Sequence, residues 1–365
     1  MERRAHRPRI ADVARAAGVS KTAVSFAFNS PQRLSLETAH RIREVAENLG
    51  YRPNPVARML TQRRTMTLGV LTPQALSVVF SNPFFALISE GIAQAAEEAG
   101  YELLFISPVH GSLMTAMGRA TVDGVVAIGV SAEHREVGQI RNAGLPIVLV
   151  DSEDLPEHGS VIVDDEGGAF AAAAHLLELG HRDVLVLAVE APEAVADDGP
   201  TTAREPRTEA AVTVRRLRGY QRAFESAGLA IDPSSVVAGR ASIDGGAAAF
   251  RRAWGLGLRP TAVLAMGDAM ALGAIRAARE LGLHVPRELS VVGFDDIDLA
   301  SHVDPALTTV HQPIRQKGFE AARLLLEEVE QRGGPVRHVR LETRLVVRGS
   351  TAPPYARGEV PGTQL

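Results

Sequence analysis

From Thr65 onward, short runs of β-branched and aliphatic residues alternate with helical stretches, and this alternation limits the possible folds more than any other property of the chain. The runs are Leu68–Leu71, Glu102–Ile106, Val125–Ile128, Ile147–Val150, Val161–Val163, Val184–Val189, Ala262–Ala265 and Leu289–Val292. Helical stretches between them close on glycine followed by an apolar or aromatic residue, as at Ala99-Gly100-Tyr101, Ala143-Gly144-Leu145, Ala227-Gly228-Leu229 and Leu281-Gly282-Leu283. Glycine in that place is a helix exit, because it takes the left-handed conformation at no steric cost. Strands joined by such helices pair in parallel, with helices on both faces. Most of the runs are continuously apolar, as strands covered on both sides are. About three hundred residues exceed one comfortable sheet, so two parallel α/β lobes with a cleft between them are expected.

The remaining composition narrows the class. Hydrophobic residues make up 45% of the 365, enough for large cores and against disorder. With no cysteine in the chain, a disulfide framework, a thiolate metal site and a cysteine nucleophile are excluded. No apolar run follows Met1, so no signal peptide is expected. No eighteen-residue apolar stretch occurs, so a soluble, cytoplasmic (nucleoid-associated) protein with no membrane partner is expected.

The formal charge of −4 conceals an asymmetry. Residues 1–65 hold thirteen Lys/Arg against five acids, a net +8, which leaves −12 on the other three hundred. A basic head on an acidic body is the layout of a nucleic-acid reader joined to a separate sensing or enzymatic module. Within the head, Ile10, Val13, Ala14 and Ala17 share one helical face, and Gly18 ends that helix. Ser20 can cap a second helix over Lys21–Phe28, and Ser35 a third carrying Ile42, Val45, Ala46 and Leu49, closed by Gly50. Two short helices joined by a three-residue turn containing glycine form a helix-turn-helix, whose second helix is sized to enter a major groove.

The stretches ADVARAAGVSKTAVSFAFN (Ala11–Asn29) and LSLETAHRIREVAENLGYRPNPVARML (Leu34–Leu60) resemble the head of the LacI/GalR family of transcriptional repressors. By that resemblance Lys21, Thr22 and Phe26 face the bases, while Ser20, Ser25 and Asn29 hold phosphates. Physical chemistry agrees in part: Lys21 can donate to guanine O6 and N7, and Thr22 offers a hydroxyl and a methyl. Phe26 departs from the family's usual arginine and cannot make a bidentate guanine contact; a core aromatic is the other reading of that residue. Arg9 departs from the usual Ser or Thr cap, with Asp12 placed to compensate. Asn54 can cap a short helix over residues 54–60, and Pro55 suits its first position. Seven residues are too few to be helical alone. The resemblance implies a hinge helix steadied by a partner hinge and the minor groove, with Ala57 packing between hinges and Leu60 wedging between base pairs. A plain linker is the alternative.

The resemblance continues through Asn82-Pro83-Phe84-Phe85, Val163-Asp164-Asp165, Leu179-Gly180-His181-Arg182, Met266-Gly267-Asp268, Val292-Gly293-Phe294-Asp295-Asp296 and Gln312-Pro313. It implies a bilobed periplasmic-binding-protein-like body with three crossovers between the lobes. In open α/β sheets the ligand lies beyond the carboxyl ends of strands, where Asp151, Asp164 and Asp295 stand. Carboxylates converging with a guanidinium suit the hydroxyls of a sugar or similar metabolite. The family's effector positions correspond to Asp151, Arg216 and Asp295, with Phe84 nearby. Helix capping is the competing role for Asp164 and the expected one for Asp268. Gly267 stands where many members place an asparagine, and Ala241 where several place a stacking aromatic.

The expected boundaries are residues 1–50 for the helix-turn-helix domain, 51–64 for the hinge, 65–352 for the effector-binding and dimerisation body, and 353–365 for a disordered tail. Within the body, 65–163 with 295–325 should form the N-lobe, and 164–294 with 326–352 the C-lobe. A sugar- or metabolite-acting enzyme is the competing class. No GxGxxG follows a strand, and no GxxxxGK[ST] or GxSxG occurs, so the usual cradles for dinucleotides and triphosphates and the nucleophile elbow are missing. The expectation is therefore a non-enzymatic regulator without cofactor or metal. It should read a near-palindromic DNA operator as a homodimer under a small-molecule effector.

Overall fold

The computed structural model describes residues 8–52, 64–108, 113–130, 144–152, 156–190, 211–331 and 334–355. They form two compact units, residues 1–65 and 66–365. In the first, α1 (Ile10–Ala17), α2 (Lys21–Asn29) and α3 (Leu36–Asn48) enclose Val13, Ala14, Ala17, Val24, Ala27, Ile42 and Ala46. Gly18, at φ +66°, makes the turn, and the Val19 N–H returns to the Ala14 carbonyl at 3.0 Å. The Ser20 and Ser35 hydroxyl oxygens accept the Ala23 and Thr38 N–H groups, as their cap positions predict. Asp12 does compensate for Arg9: its carboxylate accepts the Arg9 backbone N–H at 2.9 Å. Leu49 leaves the expected apolar stripe; it is exposed, and Ala39 is buried in the core of α3.

Among the described residues, the second unit holds two six-stranded sheets. Its strands are β1 (Thr67–Leu71), β2 (Glu102–Ile106), β3 (Gly124–Ile128), β4 (Ile147–Val150), β5 (Gly159–Val163), β6 (Val184–Val189), β7 (Val236–Gly239), β8 (Ala262–Ala265), β9 (Ser290–Asp295), β10 (Thr308–His311), β11 (His338–Leu341) and β12 (Arg344–Val346). Its helices are α4 (Leu76–Val79), α5 (Pro83–Glu98), α6 (Leu113–Met117), α7 (Asp165–Glu178), α8 (Ala211–Ser226), α9 (Ile243–Gly255), α10 (Asp268–Glu280), α11 (Asp298–His302) and α12 (Ile314–Glu330). The N-lobe sheet runs β11-β5-β4-β3-β1-β2, parallel throughout. The C-lobe sheet runs β12-β10-β9-β8-β6-β7, with only β12 antiparallel. Among the described residues no helix is long and apolar enough to cross a membrane.

Among the described residues, three crossovers join the lobes, near Asp164, Gln312–Pro313 and Glu342–Thr343. The lobe boundaries expected within 295–352 need correction. Thr308–His311 pairs with β9 and belongs to the C-lobe, because β9 needs a neighbour on its outer side. The N-lobe then takes back α12 and β11, the latter pairing with β5 over His338–Leu341. Glycines decide how closely α12 approaches α5: a Cβ on Gly91 would lie 1.9 Å from the Arg315 carbonyl oxygen, and one on Gly318 2.1 Å from that of Ile88. The tail also stays ordered past residue 352. The buried His181 donates to the Ala352 carbonyl at 2.9 Å, and Arg287 lies over the Tyr355 ring at 5.1 Å. Residues 356–365 are outside the described residues.

Candidate functional site

The exposed face of α2 follows from its buried one. Val24 and Ala27 point into the head core, so Thr22 and Phe26, one turn apart, share the opposite surface beside Lys21. Lys21 and Thr22 are exposed. Phe26 is half-buried and takes no part in the head core, where Phe28 packs instead, 6.0 Å from the Tyr51 ring. The core-aromatic reading of Phe26 is thus set aside. Arg33 lies over its ring, 5.2 Å from the centroid. Asn29 donates to the Ser25 hydroxyl at 3.2 Å, and its own carbonyl oxygen is buried without a partner. Asn54, Ala57 and Leu60 are outside the described residues, as are residues 191–210 before α8.

In the body, a cavity of about 140 Å³ opens at the carboxyl ends of β3, β4, β6, β8 and β9. That volume accommodates a small molecule rather than one or two waters. Phe84, Asp151, Arg216 and Asp295 all line it, as do Gly267 and Ala241. Phe84 is placed by its helix start: Asn82 accepts the Phe84 N–H at 3.1 Å, and Pro83 occupies the first helical position. Asp151 and Asp295 end their strands at φ +54° and +126°, a region that non-glycine residues enter rarely and at a cost. Both carboxylates are therefore turned off the sheet by backbone conformations that the surrounding packing enforces.

Asp164 does not belong to this group. Its carboxylate accepts the Gly167 N–H at 3.0 Å at the start of α7 and pairs with Arg340 of β11. Its carbonyl accepts the Thr343 hydroxyl at 2.9 Å. Free N–H groups at a helix terminus claim a carboxylate that could otherwise reach the cleft; Asp164 caps α7 and staples two crossovers. Asp268, expected to cap, does something else. Fully buried, it accepts the Ile297 N–H at 2.9 Å and the Thr309 hydroxyl at 2.5 Å, tying α10 to the segments around β9 and β10. Burial and the neighbouring Asp295 hold its carboxyl well above the usual range.

Behind the cleft wall runs a buried chain of charges. The Lys317 ammonium, with no exposed surface, donates to both Asp151 oxygens at 2.9 and 2.7 Å and to the Gln312 carbonyl at 2.6 Å. The Gln312 amide nitrogen donates in turn to Asp295 at 2.6 Å. Across the cleft Arg216 stacks on Phe294, 3.6 Å from its centroid, and donates to Asp165 at 2.8 Å and to the Met266 carbonyl at 2.7 Å. Arg215 donates to the other Asp165 oxygen at 2.9 Å and to the Ser152 carbonyl of the N-lobe at 3.1 Å. Burial raises the Asp165 carboxyl, but the two guanidiniums outweigh it and hold the group below its ordinary range. Burial dominates at Asp295 and pushes it up to about 6 despite Arg216.

Lys317, Gln312, Asp165 and Arg215 were not singled out as functional from sequence. One signal was available: Lys317 interrupts the apolar stripe of α12 between Ile314 and Ala321, where an aliphatic residue is due.

Comparison with known proteins gives this arrangement its context. Residues 9–54 match the profile of bacterial regulatory proteins of the lacI family, and residues 173–351 that of a periplasmic binding protein-like domain. The chain is 32% identical over 354 residues to the HTH-type transcriptional regulator DegA of Bacillus subtilis, covering 94% of this chain and 98% of that one. It is similar to the solved complex of the transcriptional regulator CelR with cellobiose, at TM-score 0.68 and 30% identity, over 94% of this chain and all of the other. It is likewise similar to the lac repressor dimer bound to operator and the anti-inducer ONPF, at TM-score 0.76 and 25% identity, over 95% of this chain and all of the other. A helix-turn-helix head, a two-sheet body with its cleft at the strand ends, and relatives matched nearly end to end leave one assignment: this chain belongs to the LacI family of bacterial transcriptional regulators.

Proposed function

We propose that this chain is a homodimeric repressor that binds a near-palindromic DNA operator, with its affinity set by a small polar metabolite held between the lobes. In this reading α2 of each head enters the major groove of one half-site, and two half-sites lie about one helical turn or a multiple of it apart. Lys21, Thr22 and Phe26 face bases; Ser20, Ser25 and Asn29 hold phosphates; Asn54, Ala57 and Leu60 belong to a hinge that engages the minor groove. The effector is held by Asp151, Arg216 and Asp295 with Phe84 against its apolar side, and the cleft carries out no chemistry.

The observation that carries this reading is the convergence of two carboxylates, one guanidinium and an aromatic ring on a single cavity spanning both lobes. Carboxylates accept hydroxyl hydrogens and the guanidinium donates, which suits a sugar-like ligand; cellobiose occupies the solved relative. Among the described residues, Gly267 and Ala241 leave the C-lobe wall without a side-chain amide or a stacking ring, so the ligand here should differ in shape or in hydroxyl pattern. A ligand can shift the lobes only by its difference in affinity between two states, commonly about 1–3 kcal/mol.

The test pairs a thermal-shift screen of sugars and small metabolites with titration of duplexes selected from a genomic library. Expected are a compound that raises the body's melting temperature and the same compound changing duplex affinity. Failure to bind any duplex in every metabolite background, or turnover of a screened compound, would sink the proposal.

A further inference from the structure

The head presents an aromatic ring where a DNA-reading helix needs hydrogen-bonding groups. Phe26 lies one turn beyond Thr22 on the exposed face of α2 and has no hydrogen-bonding atom to offer a base. What the structure adds is the guanidinium over that ring. After α2 the chain makes a single 3₁₀ turn, Pro31–Arg33, closed by the Arg33 N–H to the Ser30 carbonyl at 3.0 Å and the Leu34 N–H to the Pro31 carbonyl at 3.0 Å. Leu34 then packs against the head core, which anchors the far side of the turn. From this fixed backbone the exposed Arg33 side chain reaches back to lie 5.2 Å from the Phe26 centroid. No carboxylate pairs with it among the described residues.

We propose that Arg33, laid against Phe26, reads a guanine in each half-site, supplying from the loop after α2 the base contact that residue 26 cannot make. A guanidinium over an aromatic face is attracted by the ring quadrupole, while its N–H edges stay open in their own plane. Those edges match guanine O6 and N7 in a bidentate contact. The ring therefore serves as a platform: it removes rotamer freedom from a long side chain and keeps the charge on the same surface as Thr22. The proposal rests on α2 being the helix that enters the groove. A wild-type chain that shows no base preference at all would refute that placement, and this proposal with it.

The experiment uses the full-length chain and a duplex library with a randomised centre, followed by competition anisotropy on the enriched sequence and its single-base changes. Arg33→Lys should keep the salt slope of wild type but lose about ten- to a hundredfold discrimination for guanine at one symmetric pair of positions. Phe26→Leu should lose part of the same discrimination at the same positions. The double variant Phe26→Arg with Arg33→Ala, which moves the guanidinium onto the helix itself, should regain a guanine preference. Neither residue belongs to the buried core of the head, so the variants should fold, and circular dichroism checks this. Two results would overturn the proposal. One is Arg33→Ala with wild-type base preference; the other is Arg33→Ala with uniformly weaker binding and a salt slope smaller by about one, the mark of a phosphate contact.

Discussion

Lys317→Met tests the buried network most directly. The wild-type ammonium donates three hydrogen bonds, at 2.6, 2.7 and 2.9 Å, and has no contact with solvent. Methionine is of similar length and fills the stem's space, so cavity formation adds little. What the substitution leaves behind is an Asp151 carboxylate and a Gln312 carbonyl, both buried and without their donor. Breaking a buried pair from one side costs about 3–5 kcal/mol. In a unit of this size 1 kcal/mol corresponds to about 2 °C, so the body's transition should fall by about 6–10 °C in scanning calorimetry. Asp151→Asn in the same background removes the stranded charge, and asparagine tolerates the left-handed backbone at φ +54°. The double variant should therefore recover to within about 1–2 kcal/mol of wild type, as replacement of a whole buried pair commonly does. If Lys317→Met melts within about 1 kcal/mol of wild type, or the double variant loses the sum of the two singles, the pairing argument is wrong.

Other perturbations follow from the same geometry. The folded chain holds the Asp295 proton up to about pH 6, above the carboxylate's ordinary 3.8. Folded Asp295 thus binds its proton more tightly than unfolded Asp295, so stability should decline as pH rises from about 4 to about 6. Asp295→Asn should flatten that part of a pH–denaturation profile, and an unchanged slope would count against burial as the cause. Gly91→Ala drives a methyl into the Arg315 carbonyl and should destabilise the body by more than about 2 kcal/mol in urea unfolding. Asp164→Ala removes a helix cap and should cost about 1 kcal/mol while leaving the affinity of any cleft ligand identified by the screen within about twofold, as calorimetric titration would show. Because the head carries +8, duplex affinity should fall steeply with salt, and a flat double-logarithmic plot would contradict electrostatic docking.

Much of the fold could be read from residues alone, and the exceptions share a cause. The central strands β1, β3, β4, β6 and β8 are continuous apolar runs, because both faces of each are covered. The four strands that escaped detection, β7, β10, β11 and β12, are short like β4 and β8, but each is broken by a glycine or by polar or charged residues, as in Val-Val-Ala-Gly, Thr-Thr-Val-His and Arg-Leu-Val. β11 alternates exposed and half-buried positions in His338-Val339-Arg340-Leu341, a pattern that does not stand out from an extended loop. Missing β10 and β11 is what displaced the lobe boundaries. At the cleft, residues whose side chains end a strand or face the cavity were legible, since the rule about strand ends points to Asp151 and Asp295. Their partners were not: Asp165 and Lys317 are brought together with them by the crossovers, across sequence separations that no local pattern encodes. Asp164 stayed open between effector contact and helix capping, because sequence alone cannot weigh a helix terminus against a cavity as claimants for one carboxylate.

The path of the chain sets an order for its birth. The head buries its core with residues 10–51 alone, so it can be complete while the ribosome has made a small fraction of the protein. Neither body sheet can close so early: one needs β11 as its last strand, the other needs β12, and Ala352 must still dock on His181. A ribosome that stalls before Arg344 would thus release a folded head with no finished sensor behind it. Until β11 and β12 are added, β5 and β10 are left as open sheet edges, the form in which a half-made body would pair with other chains.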